Sequence, residues 1–262
     1  MNNTKYNIGY YNPSESCVFK RNKDEFGGLS NMSTEYPLLI NNQLIRSSEA
    51  LYQALKFSSF PEIQQKILNQ KSPMTVKMVS RGSNKLTRED WEEIKVDIMR
   101  WCLRVKLAQN FLKFGLLLES TYPKYIVEKS DKDNFWGAKL NSEGEYEGRN
   151  ILGRLLKELR EIYLSEKRYS LLIVKPLKIP NFYLLGKPIE TINEIYNFTQ
   201  KELFSKMSMI LNDEFLEYNS QQNNKGPLDF KENSKTKKVH KKKRTKRKKE
   251  EPNLFNTDSE KK

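Results

Sequence analysis

Glu49, Gln53 and Lys56 follow one another at intervals of four and three residues within Ser47 to Phe57, SSEALYQALKF. On a helix that spacing gathers a carboxylate, an amide and an amine on one face, while Leu51, Ala54, Leu55 and Phe57 are free to pack elsewhere. The trio has the parts for acid–base or electrostatic chemistry. It also matches an ordinary solvated helix face, because serines before the helix suit its N-cap and an acid in the first turn suits its dipole. The eleven residues alone leave both readings open.

The residue inventory narrows the chemistry. His240 is the only histidine and lies in a lysine tract near the end of the chain. A Ser-His-Asp triad, a Cys-His pair or a zinc-hydrolase site in the body is therefore excluded, which leaves carboxylates, lysine, tyrosine or cysteine for proton transfer. Cys17 and Cys102 are too few for a disulfide framework or a metal cluster and suggest a reducing compartment. No apolar run approaches the roughly 20 residues of a membrane span. The start, MNNTKYNIGYYNPSES, lacks the basic and apolar segments of a signal peptide. The expectation is a soluble, intracellular, cytoplasmic protein with no membrane partner.

The elements that must position the trio are legible in part. Residues 1–18 are polar and turn-rich and read as a leader segment. Gly27 and Gly28 allow a sharp turn and the close approach of a ligand, with Ser30 and Asn31 as hydrogen-bonding side chains after them. Pro37 to Ile45 predicts two short strands joined at Asn41-Asn42. Beyond the trio, Phe60 to Leu68 and Met74 to Arg81 predict helices, each with a proline where a first turn tolerates it. Arg81 at the end of the second is equally a phosphate ligand or a helix-end charge. Thr87 and Asp90 predict the cap of a long helix whose apolar stripe runs from Trp91 to Ala108, with Lys95, Arg100, Arg104 and Lys106 expected mostly in solvent. The helical pattern continues through Phe111 to Leu118 into Glu119-Ser120-Thr121, until Tyr122-Pro123 breaks it. Tyr125 to Val127 predicts a buried strand running into a polar loop that holds Asp133 and Trp136, a common setting for a site. Trp136 reads either as a base-stacking ring or as a packing anchor. Asn150 predicts an N-cap for an amphipathic helix to Arg160, Ser170 to Val174 a strand, and Ile189 to Tyr218 one or two amphipathic helices.

Charge is concentrated at the end. From Lys231 to Lys262 there are 14 Lys and Arg against 5 Asp and Glu, so 9 of the 14 net positive charges sit in that stretch. Low complexity and self-repulsion predict a disordered tail over residues 219–262. Residues 235–249 suit contact with nucleic-acid phosphates by counterion release, or a nuclear address, or solubilisation alone. They contain no aromatic residue for stacking on bases.

Seven stretches in order give the body a family likeness: FGGLSN (Phe26 to Asn31), SSEALYQALKF, SPM (Ser72 to Met74), SRGSNKL with Trp91, IMRWCLRVK (Ile98 to Lys106), IVEKSDKDNFWG (Ile126 to Gly137) and GRNILGRLLKELR (Gly148 to Arg160). In this order they resemble the NADAR family, which includes the YbiA-type N-glycosidases. The resemblance implies an α+β, mostly helical domain with a small β component over residues 19–165, leaving residues 166–218 as a C-terminal extension before the basic tail. It implies hydrolysis of an N-glycosidic bond between a phosphorylated ribose or ADP-ribose and a base-like amine, with no cofactor. The competing reading is a catalytically weak or inactive module that binds ADP-ribose or nucleic acid. By the same resemblance Glu49 and Lys56 would be catalytic, with Gly28, Ser30, Asn31, Gln53, Arg81, Asp133, Trp136 and Asn150 around the substrate. Glu49 would be base or electrostatic stabiliser, and Lys56 proton donor or Schiff-base amine. One departure stands out: Ala50 occupies a place where family members often carry histidine.

Overall fold

The computed structural model describes residues 6–203 and the single positions 205, 207, 208 and 212. Met1–Met209 cluster as one compact unit and Ile210–Lys262 as a second, of which only Asn212 is among the described residues. The expectations for the tail, its nucleic-acid contacts at 235–249 included, lie outside them.

The first unit is α+β, mostly helical, with small two- and three-stranded sheets. In chain order its elements are β1 (Gly9–Tyr11), β2 (Ser16–Phe19), β3 (Leu38–Ile40), β4 (Gln43–Ile45), α1 (Ser48–Ala54), α2 (Pro61–Leu68), α3 (Pro73–Gly82), α4 (Trp91–Gln109) and α5 (Phe111–Glu119). They continue as β5 (Tyr125–Glu128), β6 (Lys139–Leu140), β7 (Tyr146–Gly148), α6 (Ile151–Tyr163), β8 (Ile173–Val174), β9 (Tyr183–Leu184), β10 (Lys187–Pro188) and β11 (Ile192–Asn193). Residues 195–203 are again helical.

The helix carrying Glu49 sits at the centre. The β3–β4 hairpin turns through Asn41 (φ 48) and Asn42 (φ 62), the left-handed pair that matches the twist of two antiparallel strands. It delivers Ser47 in extended conformation, and the Ser47 Oγ accepts the N–H of Ala50 (3.3 Å), a cap that typically stabilises a helix by about 1 kcal/mol. Every residue of α1 is buried, and the helix packs against α2, α3 and α4. Leu51, Ala54, Leu55 and Phe57 are wholly inaccessible and share one hydrophobic core with Trp91, Ile98, Cys102 and Val105 of α4. On the far side, β2 pairs in parallel with β5, and α6 lies against β5. Gly153 permits that contact, since a Cβ there would come within 2.0 Å of the Ile126 carbonyl oxygen.

Several expectations need correction. Residues 1–18 hold two strands, because β1 pairs with β7 and β2 with β5, over a hundred residues away. Thr87 does not cap α4; Asp90 takes that position, and its carboxylate is held by Arg88 at 2.6 Å. Ser170 to Leu172 belong to a 3-10 helix, and only Ile173 and Val174 are strand. Within 189–203 a two-residue strand precedes the helical stretch, and most of the remainder to Tyr218 is outside the described residues. Lys106 is not in solvent. It is fully buried, its ammonium donates to the carbonyls of Gly28 (2.7 Å) and Ser30 (3.1 Å), and it lies 4.2 Å from the Phe114 ring centre and 4.8 Å from that of Tyr36.

Candidate active site

Glu49 and Gln53 do share a face of α1, but that face is buried, at 5% and 8% exposure. The Gln53 amide donates to Glu49 Oε1 (2.8 Å), and Ser80 of α3 donates to Gln53 Oε1 (2.6 Å). Lys77, one turn earlier on α3, brings its ammonium within 3.6 Å of Glu49 Oε1. Removing a carboxylate from water is unfavourable unless hydrogen bonds and a counter-charge compensate, and here both are supplied. Lys56 follows in the 3-10 turn that extends α1, its ammonium 5.4 Å from the Trp91 ring centre. Burial lowers its pKa from the usual lysine value, against the charges of Glu49 and Glu92, which raise it.

These side chains line a cleft of about 420 Å³, within the usual size range of small-ligand sites. Its walls include Asn31, Met32, Tyr52, Met99 and Leu152, and Trp136 and Asp133 come from the loop after β5. Lys56, Lys77, Arg81, Lys129 and Lys132 face three carboxylates, Glu49, Glu128 and Asp133. The excess of cations suits an anionic ligand. Tyr52 packs edge-on to Trp136 at 5.6 Å, and burial holds its phenol well above the ordinary tyrosine value and so protonated. Asp133 Oδ1 accepts the N–H groups of Phe135 (2.8 Å) and Trp136 (3.0 Å), which fixes the loop that presents the tryptophan. The carbonyls of Phe135 and Trp136 in turn accept the N–H groups of Ile151 and Leu152, tying the loop to the start of α6.

Of the ten site residues expected from the sequence, Glu49, Lys56, Asn31, Gln53, Arg81, Asp133 and Trp136 line this cleft. Gly28, Ser30 and Asn150 do not. Gly28 and Ser30 give their carbonyls to Lys106, and any side chain at 28 would meet Leu117 and Tyr36 within 2.8 Å. They shape the loop that brings in Asn31, whose own carbonyl accepts the Glu49 N–H (2.9 Å). Asn150 stands at the start of α6 in left-handed conformation (φ 47) without a side-chain cap bond. Its amide instead donates to the Ile126 carbonyl (2.8 Å) and accepts the N–H of Glu128 (3.2 Å), so it anchors β5. Ala50, the departure noted in the sequence, is 3% exposed and belongs to the hydrophobic core rather than to the cleft.

Lys77 and Glu128 were not among the expected residues. Lys77 lies four residues before Arg81, a helical neighbour of a residue already singled out, and that spacing was a usable signal. Glu128 ends β5 immediately before the polar loop, and nothing local marks it off from the charged residues that follow. A second groove, about 510 Å³, lies between α4 and residues 170–179; Trp101, Ile173, Val174, Leu177 and Ile179 line it together with Arg104, Lys175 and Lys178, and its one acid, Asp97, is paired with Arg100.

A buried carboxylate set between an amide and an ammonium, in a cationic cleft closed by an indole, is the equipment of a site that acts on an anionic, planar-bearing ligand. The NADAR domain model matches residues 18–163, and the chain belongs to that family. It is 34% identical over 149 residues to the N-glycosidase YbiA of Escherichia coli, covering 57% of this chain and 89% of that protein. A riboflavin biosynthesis protein of Vibrio vulnificus is 32% identical over 172 residues, 64% of this chain and 45% of the relative. The chloroplastic riboflavin biosynthesis protein PYRR of Arabidopsis thaliana is 36% identical over 110 residues, 40% of this chain and 18% of the relative. The NMR structure of E. coli YbiA superposes with a TM-score of 0.48 at 33% identity, over 56% of this chain and 83% of that one.

Proposed function

We propose that this chain is an N-glycosidase that hydrolyses the bond between the anomeric carbon of a phosphorylated ribose, or of ADP-ribose, and the nitrogen of a base-like amine. The observation that carries the reading is Glu49, buried at the floor of the cleft and held by Gln53 and Lys77. Cleavage of such a bond builds positive charge on the sugar, and a fixed carboxylate below it stabilises that charge or takes a proton from the attacking water. Lys56 supplies an amine beside the carboxylate. Arg81, Lys129 and Lys132 give phosphate groups charge-assisted hydrogen bonds at the rim, and Trp136 covers the base.

Ala50 was the one feature that favoured an inactive binding module. Its place in the core means that the departure alters packing behind α1 rather than the groups facing a substrate, which supports the catalytic reading. Incubation of the protein with a phosphoribosylamino-pyrimidine and, separately, with DNA carrying ADP-ribosyl-guanine tests the proposal. Release of free amine from one of them is expected. Binding of both without turnover would favour the module.

A further inference from the structure

A hydrolysis of this kind needs two proton transfers; Glu49 accounts for one, and Lys56 and Glu128 both line the cleft as candidates for the other. The water that attacks the anomeric carbon must lose a proton, while the departing nitrogen must gain one. We propose that Glu128 is the general acid of the cleft, a further catalytic residue that delivers a proton to the leaving nitrogen. This assignment rests on the N-glycosidase reading and deepens it.

The geometry supports it in three ways. Glu128 lines the same cleft as Glu49, Lys56 and Trp136, but it arrives from β5 rather than from α1, so the two carboxylates enter from different walls. Its side chain makes no salt bridge or hydrogen bond among the described residues, whereas Glu49 Oε1 is engaged by Gln53 and Lys77. Its backbone is fixed, since its N–H donates to Asn150 Oδ1 and its carbonyl accepts from Ala138 (2.9 Å). An anchored backbone with an uncommitted carboxyl group is what a proton donor requires.

The surroundings also set the protonation state. Burial raises Glu128 from the usual carboxylate range to about 7; Lys77 on α3 opposes this, and Glu49 on α1 and Asp133 in the following loop add to it. Lys129 and Lys132 border the same wall. A carboxyl group with that value is still substantially protonated at neutral pH and loses its proton readily.

The bond from the anomeric carbon to nitrogen breaks, its electron pair stays on nitrogen, and nitrogen takes the Glu128 proton. The oxygen of water bonds to the anomeric carbon and loses a proton to Glu49. Glu128 ends ionised and Glu49 protonated, and exchange with solvent restores both.

The test is Glu128→Gln in the full chain. With a substrate that the wild type hydrolyses, kcat is expected to fall about 100-fold or more, with KM little changed. The decline of kcat above about pH 7 is expected to vanish, and the deficit to shrink for a substrate whose amine carries electron-withdrawing groups and leaves without protonation. A carboxyl carbon signal in NMR that titrates near 7 in the wild type should be missing from the variant. Retained kcat, an unchanged alkaline limb, or no such signal would each overturn the acid role while leaving the glycosidase reading intact. A wild type inert toward every substrate class would overturn the glycosidase reading, and the acid role with it.

Discussion

Among single residues, the cleft gives the carboxylates Glu49 and Glu128 different neighbours. Glu49 has an amide donor and an ammonium within 3.6 Å, and among the described residues Glu128 has neither at hydrogen-bonding distance. The second arrangement has a consequence for stability. A carboxyl group whose folded pKa of about 7 exceeds its unfolded value of roughly 4.3 binds more protons in the native state between those limits. Its contribution is therefore fully present below about pH 4 and is lost as pH rises through 7. Glu128→Gln removes the group that must ionise. The variant is expected to be more stable than the wild type by up to about 3 kcal/mol at pH 8 and nearly equal to it at pH 4, as measured by urea unfolding. An equal difference at both values would show that Glu128 is not strained by burial.

At the scale of elements, the loop of residues 27–31 is held to α4 by one buried ammonium. Burial lowers Lys106 to about 7 although Glu35 favours its charged form, and two aromatic faces also favour the cation. The unfolded chain then binds more protons between about 7 and 10.4, so this group makes stability rise with pH across that window. Lys106→Met leaves the Gly28 carbonyl without its donor and the Ser30 carbonyl with only the Ser33 N–H. It is expected to lower stability by about 2 kcal/mol at pH 9, and by less at pH 6, where the wild type still carries the penalty of a buried charge. Because Asn31 ends this loop and its carbonyl holds the Glu49 N–H, turnover should fall as well. A variant as stable as the wild type at pH 9 would contradict the clamp.

The elements also show what a sequence discloses. The β3–β4 hairpin, α1 with its Ser47 cap, α2, α3 and the stripe of α4 were legible because their signals are local: paired asparagines, capping serines, prolines in first turns and apolar periodicity. β1 and β2 were not, since three- and four-residue strands declare themselves only through partners over a hundred residues away. The candidate site divides the same way. Glu49, Gln53 and Lys56 lie within eight residues of one another, whereas Lys77 and Glu128 reach the cleft from α3 and β5, elements distant in sequence that meet it only in the folded chain. Gly28, Ser30 and Asn150 stood inside recognisable motifs, yet their work is to hold backbone. Lys106 looked solvated because a lysine on a long helix usually is; two carbonyls and two rings reversed that default.

At the scale of the whole molecule, the basic end of the chain and the cleft are separable in their expected effects. Removing residues 219–262 takes away the stretch that holds most of the net positive charge. Hydrolysis of a small phosphoribosyl substrate should be unchanged by that deletion. If the substrate is attached to nucleic acid, KM at low salt should rise at least tenfold, and the steep salt dependence of binding should flatten. Equal loss of activity on small and polymeric substrates would mean that the segment contributes to the cleft itself.

Under the proposed function, Glu49 drives the breaking of a ribose–nitrogen bond. The most direct measurement compares wild type with Glu49→Gln for release of free amine from saturating phosphoribosylamino-pyrimidine and from ADP-ribosyl-guanine DNA, with the fold of both proteins checked by circular dichroism. One substrate is expected to be hydrolysed by the wild type and at least 100-fold more slowly by the variant. Equal rates from the two proteins would contradict the claim.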